Sequence, residues 1–327
     1  MSHTQIVSLV KWVIISNVCH ARCVLRRRIV VGTSRPIWQI FGAQYLQRKA
    51  LLMLTDVSFV ILTWNSEKCI EACLRSICLA EKMSAGICVV DNGSEDSTLE
   101  IIQKVKDAFP KIPIESVQLP ENKGTTISRN IGIERVLPVS KYICILDSDT
   151  VVNEAALIDM MSVFEDNPEA GIVGPVLKGL DGSVQNSGRA IPTITLKLLK
   201  VLPVAALRQK GEQMEYISKP EGKVSPVGYL MSACWLIRRE CIEDIGLLDE
   251  NIFYAPEDVE YCIRAWKNGW QVLYDGRCSI VHEWQRLSRK KLISRHNWEH
   301  IKGLMYLFNK YGFYFSSERI DKYRKEL

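Results

Sequence analysis

Residues 57–90 read VSFVILTWNSEKCIEACLRSICLAEKMSAGICVV, and this stretch decides the fold class. It begins with Val57–Thr63, an apolar run that is rich in β-branched residues and has the length of a buried strand. A helix over 67–80 follows, because isoleucine and leucine recur there at helical spacing. A second apolar strand over 87–90 closes the unit. Strand, helix and strand in this order predict two parallel strands joined by a right-handed crossover.

The same alternation continues along the chain and predicts an α/β fold, Rossmann-like, with a mostly parallel sheet and helices on both faces. Between 171 and 237, prolines and short strand-like pieces replace the alternation and predict an irregular region. The further predicted elements are helices over 96–108, 125–136, 154–165, 257–268 and 289–311, and strands over 112–119, 142–146, 270–274 and 278–282.

Charge divides the 327 residues into three parts. Residues 1–55 hold eight basic and no acidic residues, and residues 286–327 hold eleven basic and four acidic ones, which leaves a net charge of −10 between them. We therefore expect a basic extension over 1–54 that lies outside the fold, one enzyme domain over 55–285, and a basic amphipathic helical segment over 286–327.

The composition excludes several classes of protein. Hydrophobic residues make up 47% and charged residues 24%, as in ordinary globular proteins, and no apolar run reaches the roughly 18 residues of a membrane-spanning helix. The eleven cysteines contain no C-x-x-C pair, so they are expected to be reduced, buried thiols of a cytoplasmic protein. No zinc-finger spacing or RNA-binding aromatic motif is present, so we expect no nucleic-acid partner.

Polar residues follow each of the first four predicted strands. In open α/β sheets, ligands bind beyond the carboxyl ends of the strands, so these residues are expected to share one site. Asp91 either caps an ordinary Asp-Asn-Gly turn or accepts a hydrogen bond from a nucleotide base. In strand order, the candidates are Thr63 and Asn65, then Asp91, then Asn122 and Gly124, and finally Asp147 and Asp149.

Asp147-Ser148-Asp149 is the sharpest candidate for a metal site. Alternate residues of an extended segment point the same way, so both carboxylates can face one site. Carboxylates after a buried strand suit Mn²⁺ or Mg²⁺, whereas the plainer interpretation is a polar turn in which Asp147 caps the next helix. His282 ends the last predicted strand and is either structural or a third ligand.

Pro256-Glu257-Asp258 opens a helix after an aromatic pair, Phe253 and Tyr254. Acidic residues in a first helical turn complement the helix dipole, which would explain them without any catalytic role. A partly desolvated carboxylate is also a good general base, because burial raises its pKa. Both interpretations remain open from the residues alone.

Taken together, these motifs resemble the family 2 glycosyltransferases of the GT-A fold, and particularly the rhamnosyltransferase-like enzymes of bacterial surface polysaccharides. The likeness covers about 56–285, and the order of the motifs makes it specific. The matching stretches are Val57–Asn65 (VSFVILTWN), Val89–Ser94 (VVDNGS), Asn122–Gly132 (NKGTTISRNIG), Leu146–Asp149 (LDSD), Gly246–Arg264 (GLLDENIFYAPEDVEYCIR) and Ser279–His282 (SIVH).

The resemblance implies an inverting transfer of a sugar from a nucleotide-diphosphate donor, dTDP-rhamnose or a UDP-sugar, to a saccharide or lipid-linked acceptor. It implies Asp258 as the catalytic base with Glu257 beside it. It implies a divalent cation, Mn²⁺ or Mg²⁺, at Asp147, Asp149 and His282. The implied nucleotide-binding residues are Thr63, Asn65, Asp91, Asn122, Gly124, Arg129 and Asp147.

Two other functions remain alternatives: a nucleotidyltransferase and a non-catalytic nucleotide-sugar binding protein. A nucleotidyltransferase normally carries a glycine-rich basic loop after the first strand. Thr63-Trp64-Asn65, at the end of the first strand here, is not such a loop. Lipid-linked acceptors suggest work at the inner leaflet of the plasma membrane. Trp298, Ile301, Met305 and Phe308 form one helical stripe beside basic residues. That stripe is expected either to lie on an anionic membrane or to pack on the enzyme domain.

Overall fold

The computed structural model describes residues 55–201, 204–215, 222–283, 295–312, 315–318 and 322. The prediction for residues 1–54 therefore lies outside the described residues, as does the start of the predicted C-terminal helix at 289–294. The strands, in chain order, are β1 Thr55–Thr63, β2 Ala85–Asp91, β3 Ile114–Gln118, β4 Ser140–Asp147, β5 Thr150–Val151, β6 Ala170–Lys178, β7 Val184–Gln185, β8 Gly188–Arg189, β9 Val224–Pro226, β10 Tyr229–Leu230, β11 Cys234–Arg238 and β12 Gln271–His282.

Helices alternate with the first strands as the sequence predicts. A short 3-10 turn at Leu137–Val139 follows the third helix. The helices are α1 Ile70–Cys78, α2 Thr98–Ala108, α3 Thr125–Val136, α4 Glu154–Asp166, α5 Ile194–Val201, α6 Ala205–Glu215, α7 Arg239–Ile245, α8 Glu257–Lys267 and α9 Arg295–Tyr311.

The main sheet has the strand order β3-β2-β1-β4-β11-β6-β12-β5. The strands β3, β2, β1 and β4 are parallel to one another, and β6 is parallel to β12. The strand β11 is antiparallel to both β4 and β6, between which it lies. The prediction of a mostly parallel sheet is confirmed, with β11 as an antiparallel insertion that joins the two parallel halves.

Two hydrophobic cores cover the two faces of this sheet. Phe59 and Val60 are neighbours on β1 and are both fully buried, and they point into opposite cores because successive strand residues alternate. Helices α1, α2 and α4 pack over the Phe59 face, and α3, α7, α8 and α9 pack over the Val60 face. The helices on both faces hold the strand ends in fixed positions.

The cysteines contribute to these cores. Each cysteine in the described part of the chain is a free, buried thiol, as the absence of paired spacings predicts. Burial raises the pKa of the Cys88 thiol to about 12, which keeps it protonated at neutral pH. These thiols pack as small hydrophobic side chains.

The structure differs from the predictions between 171 and 282. The region predicted as irregular contains α5 and α6, and the two strands predicted near 270–274 and 278–282 are one strand, β12, whose register with β6 shifts between Asp275 and Ser279. No helix among the described residues is both long and apolar enough to cross a bilayer.

Candidate functional site

The carboxyl ends of β1, β2 and β4 meet at one edge of the sheet. Thr63 pairs with Asp91 in the parallel register of β1 and β2, and Leu62 pairs with Asp147 in that of β1 and β4. The last residues of three adjacent strands of the sheet, β2, β1 and β4, therefore lie close together. The predicted convergence of Thr63, Asp91 and Asp147 is what the sheet register produces.

Asp91 is fully buried and makes the turn contacts expected of an Asp-Asn-Gly sequence. Its carboxylate accepts hydrogen bonds from the backbone N–H of Ser94 at 3.0 Å and from the Ser94 hydroxyl at 2.5 Å. The Thr63 hydroxyl donates to it at 3.4 Å. Asn65 is exposed at the rim and accepts from the backbone N–H of Glu95 at 2.9 Å. Asp91 therefore orders the rim on which Asn65 lies.

Asn92 is a site residue that the sequence reasoning missed. Its side-chain amide donates to the Asn122 side chain at 2.9 Å and to the Gly124 carbonyl at 3.2 Å. Its oxygen accepts from the backbone N–H of Lys123 at 2.8 Å and from the Ser128 hydroxyl at 3.0 Å. Asn92 thus fastens the loop after β3 to the end of β2. An asparagine directly after a strand-ending aspartate was the only available signal.

Gly124 places that loop against the segment before α8. Its φ of 86° lies in the left-handed region, where glycine carries no steric cost. A Cβ at this position would lie 2.7 Å from the Phe253 ring, and the neighbouring backbone N–H of Thr125 donates to the Phe253 carbonyl at 2.7 Å. The predicted nucleotide side and the predicted catalytic side of the site are therefore in direct contact.

Asp147, Asp149 and His282 form one group of oxygen and nitrogen donors. One donor atom from each lies within 4.8 Å of the others, and the Asp149 carboxylate is 3.4 Å from the His282 Nε2. The strand β5 causes this closeness, because His282 of β12 pairs with Thr150 immediately after Asp149. The structure brings together the three residues that the resemblance assigns to a cation.

Gln185 fixes how the His282 ring is presented. The Gln185 amide donates to the His282 carbonyl at 2.8 Å, so its oxygen faces the ring Nδ1 at 2.7 Å. That contact requires the hydrogen on Nδ1 and leaves Nε2 free to act as a ligand in the neutral ring, as partners behind metal-binding histidines typically do. Burial alone would lower the pKa of His282, but its hydrogen bond to Asp149 and the negative charges of Asp149 and Asp147 together outweigh burial and raise it. Two carboxylates and an oriented imidazole fit a Mn²⁺-like cation.

Arg129, which the resemblance assigns to nucleotide binding, is buried next to this group and bridges two carboxylates of the site. It lies on α3, is 2% exposed, and its guanidinium contacts the Asp147 carboxylate at 2.7 Å and the Glu257 carboxylate at 2.9 Å. Burial raises the pKa of Asp147, and the charge of Arg129 opposes that effect. Arg129 therefore links Asp147, one of the three candidate cation ligands, to Glu257 at the start of α8.

Glu257 and Asp258 occupy different environments although they are adjacent. Glu257 is buried and accepts from Arg129 and from the Ser232 hydroxyl, each at 2.9 Å. Burial raises its pKa to about 7, and the neighbouring Asp258 acts in the same direction. Asp258 is only partly buried and accepts from the backbone N–H of Val259 at 2.8 Å. Burial raises the pKa of Asp258 as well, which makes it more basic.

We expect Asp149→Ala to abolish the dependence of nucleoside diphosphate binding on Mn²⁺ while leaving the fold intact. Asp149 supplies one of the three donors, and within the described part of the chain its carboxylate pairs only with His282. Calorimetric titration with and without Mn²⁺ measures this. Asp159→Ala, which removes an exposed carboxylate on α4, is the matched control and should retain the dependence. A metal dependence that survives in Asp149→Ala would contradict its assignment as a ligand.

Comparison with known proteins gives matches in sequence and in fold. The model of the family described as "Glycosyl transferase family 2" matches residues 58–246, more than half of the chain. The N-acetylglucosaminyl-diphospho-decaprenol L-rhamnosyltransferase of Mycobacterium tuberculosis is 26% identical over 238 residues, which cover 70% of this chain and 76% of that protein. Both matches agree with the resemblance drawn from the motifs.

Solved structures share the fold. A crystal structure of GalNAc-T7 with UDP, GalNAc and Mn²⁺ has a TM-score of 0.61 at 14% identity and is matched over 91% of this chain and 63% of that chain. A crystal structure of Staphylococcus aureus TarS 1-349 with UDP-GlcNAc has a TM-score of 0.52 at 17% identity, over 82% of this chain and 70% of that one. The predicted GT-A fold is confirmed by these neighbours.

The family match begins one residue after the start of Val57–Thr63 and includes Asp91, Arg129 and both aspartates of the Asp147-Ser148-Asp149 segment. It ends at Gly246, so the α8 carboxylates and His282 join the site through the fold and not through the matched stretch. The sequence match, the fold and the strand-edge site agree: this chain belongs to glycosyl transferase family 2 and is a glycosyltransferase.

Proposed function

We propose that this protein transfers a sugar from a nucleotide-diphosphate donor to a lipid-linked saccharide acceptor during the synthesis of a cell-surface polysaccharide. The observation that carries the proposal is the continuous chain of contacts from Asp149 and His282, through Asp147 and Arg129, to Glu257 beside Asp258. It brings the side chains that could hold a cation for the diphosphate close to the carboxylate that could accept a proton from the acceptor hydroxyl.

On the donor side, we propose that Thr63, Asn65 and Asp91 bind the base and ribose and that Asn122 and Gly124 belong to the same nucleotide site. The mycobacterial relative is named a rhamnosyltransferase and the S. aureus TarS structure holds UDP-GlcNAc, which supports a dTDP-sugar or a UDP-sugar as donor. Asp147, Asp149 and His282 would hold Mn²⁺ or Mg²⁺, which supplies positive charge to the departing diphosphate.

On the acceptor side, Asp258 is the general base. It removes the proton of an acceptor hydroxyl, whose oxygen forms a bond to the anomeric carbon while the bond from that carbon to the diphosphate oxygen breaks. The electron pair leaves with the nucleoside diphosphate, and a single displacement of this kind inverts the anomeric configuration. Glu257 is tied to Arg129 and Ser232, so it positions the start of α8 and leaves the proton transfer to Asp258.

The acceptor is proposed to be lipid-linked because the mycobacterial relative's name specifies a diphospho-decaprenol acceptor. Such a substrate would bring the protein to the inner leaflet of the plasma membrane. Membership of glycosyl transferase family 2 argues against the nucleotidyltransferase alternative.

A donor screen by thermal unfolding tests this proposal. Nucleotide sugars of the UDP, GDP and dTDP series are added with Mn²⁺, and a ligand at a hundredfold excess over its Kd stabilises the fold by about 2.7 kcal/mol. We expect one series to raise the Tm by several degrees, and Asp149→Ala to lose that shift. If none of the nucleotide sugars changes the Tm, the chain does not bind the donor that the proposal requires.

A further inference from the structure

The helix α9 carries a stripe of large apolar side chains on its outer face. Trp298, Ile301 and Met305 are 60%, 50% and 48% exposed, and their spacing of three and four residues places them on one side of the helix. Phe308, which the sequence places in the same stripe, is buried in the core over the Val60 face. The helix therefore packs on the enzyme domain through Phe308 and leaves the apolar side chains of Trp298, Ile301 and Met305 exposed. The stripe predicted from the sequence is thus buried at its C-terminal end and exposed at its N-terminal end.

The same helix is fixed to the segment that leads into the catalytic carboxylates. A Cβ at Gly303 would overlap the carbonyl oxygen of Ala255, so α9 lies directly against the chain three residues before Asp258. On the next turns, the Tyr306 hydroxyl donates to Asp249 at 2.8 Å, and the Tyr311 hydroxyl donates to Glu260 at 2.8 Å.

A single cation strengthens this attachment. Lys310 contacts both Asp249 and Glu260, and Glu260 is fully buried on α8. The hydrogen bonds and ion pairs of α9 are thus made to residues on either side of Ala255. Any surface that binds the outer face of α9 is consequently held at a fixed distance from Asp258.

We infer that the stripe of Trp298, Ile301 and Met305 binds the surface of an anionic lipid bilayer and so sets Asp258 at the height of a membrane-anchored acceptor. This inference rests on the proposed function, because a lipid-linked acceptor is what makes such a height useful.

Charge identifies the bilayer as the partner. Lys302 adjoins the stripe on the exposed face; its side chain is 56% exposed and pairs with Glu299 at 3.0 Å. In sequence, residues 284–295 contain five basic and no acidic residues, immediately before Trp298. Aromatic and aliphatic side chains beside basic ones suit the interface of an anionic membrane, where each Lys or Arg adds about 1 kcal/mol. A stable protein partner would instead need about 20–30 contact residues on each side.

Flotation of the full chain with lipid vesicles tests the inference. The vesicles contain either phosphatidylcholine alone or phosphatidylcholine with phosphatidylglycerol, at low and at high salt. The test variant carries Ile301→Glu and Met305→Glu together. The control is Leu79→Glu, which places one such acidic side chain at a 68% exposed leucine at the end of α1, on the opposite face of the sheet.

We expect the unmodified chain and Leu79→Glu to float with the anionic vesicles at low salt, and the double variant to bind at least about tenfold more weakly. The Tm and the nucleotide-induced shift in Tm should be unchanged in both variants, since the substituted side chains are exposed. Loss of nucleotide binding in all three proteins would contradict the proposed function but leave the lipid result to be judged by itself.

Three results would overturn the inference: no binding of the unmodified chain to anionic vesicles, equal binding by the double variant, or equal binding to neutral vesicles. Analytical sedimentation of the proteins without lipid tests the other possible partner, a second copy of this chain. A dimer that the double variant abolishes would make the stripe a contact between two copies of this chain and would likewise overturn the assignment to lipid.

Discussion

Asp258→Asn is expected to retain nucleotide-sugar binding and to lose turnover by about 10²–10⁴-fold, the usual contribution of a general base. Asparagine keeps the size of the side chain and its hydrogen bond from the Val259 N–H, but it cannot accept a proton. The measurement pairs steady-state turnover with calorimetric titration of the donor. Turnover should fall while the Kd of the donor stays within about twofold, since Asp258 contributes to the acceptor side.

Asp159→Asn is the matched control, because it makes the same substitution at an exposed carboxylate of α4. It should turn over at the rate of the unmodified protein. A near-normal rate in Asp258→Asn would move the role of base to Glu257. Glu260 is not a candidate, because it is fully buried and engaged by Arg264 and Lys310.

Arg129→Met is expected to lower the free energy of unfolding by about 3–5 kcal/mol, the usual cost of removing one partner from a buried ion pair. Methionine fills much of the same volume but leaves the buried Glu257 carboxylate without a counter-charge, and it removes the cation that pairs with the partly exposed Asp147 carboxylate. Turnover should fall as well, because Arg129 sets the positions of a candidate cation ligand and of the helix that carries the base. Urea unfolding monitored by circular dichroism measures the stability.

Arg135→Met supplies the comparison within the same helix. Arg135 pairs with Glu115 at the surface, where its side chain is 42% exposed, and an exposed pair contributes about 0–1 kcal/mol. If Arg129→Met and Arg135→Met lowered the unfolding free energy equally, the buried bridge would not be the stabilising contact that the structure indicates.

The parallel half of the fold is predictable because its information is local. The helix over 125–136 has the predicted bounds, since the glycine boundary at its start, Gly124, lies in the sequence. The antiparallel insertion of β11 was not predictable. Its five residues, Cys234–Arg238, form a short apolar run whose direction is set by β4 and β6, far away in sequence.

The region predicted as irregular shows a second limit. The helix α6 is largely polar on its exposed side, with few residues buried, so its sequence carries only a weak amphipathic pattern. The two predicted strands near the end are a single strand because β6 continues beside both halves across the change of register. Neighbouring strands therefore decide this part of the fold.

The residues that would bind the cation were predictable from the sequence, whereas the side chains that hold the site residues in place were not. Asp147 and His282 end strands and Asp149 follows two residues after β4, and a strand end in an α/β sheet is a position that the sequence reveals. Gln185 and Ser232 support His282 and Glu257 from segments that have no motif of their own. The role of Arg129 was also missed, because the sequence does not show that its side chain passes behind Asp147 to reach Glu257.

Release of free nucleoside diphosphate is the measurement that tests the central claim most directly. The unmodified protein is incubated with Mn²⁺, the nucleotide sugar selected by the thermal screen and a lipid-linked saccharide, and both products are quantified. We expect one nucleoside diphosphate to be released for each sugar transferred. In Asp258→Asn and in Asp149→Ala, the amounts of both products should fall, and within each variant the two should fall by about the same factor. Release of nucleoside monophosphate or pyrophosphate, or sugar transfer that proceeds unchanged in Asp258→Asn, would contradict the account.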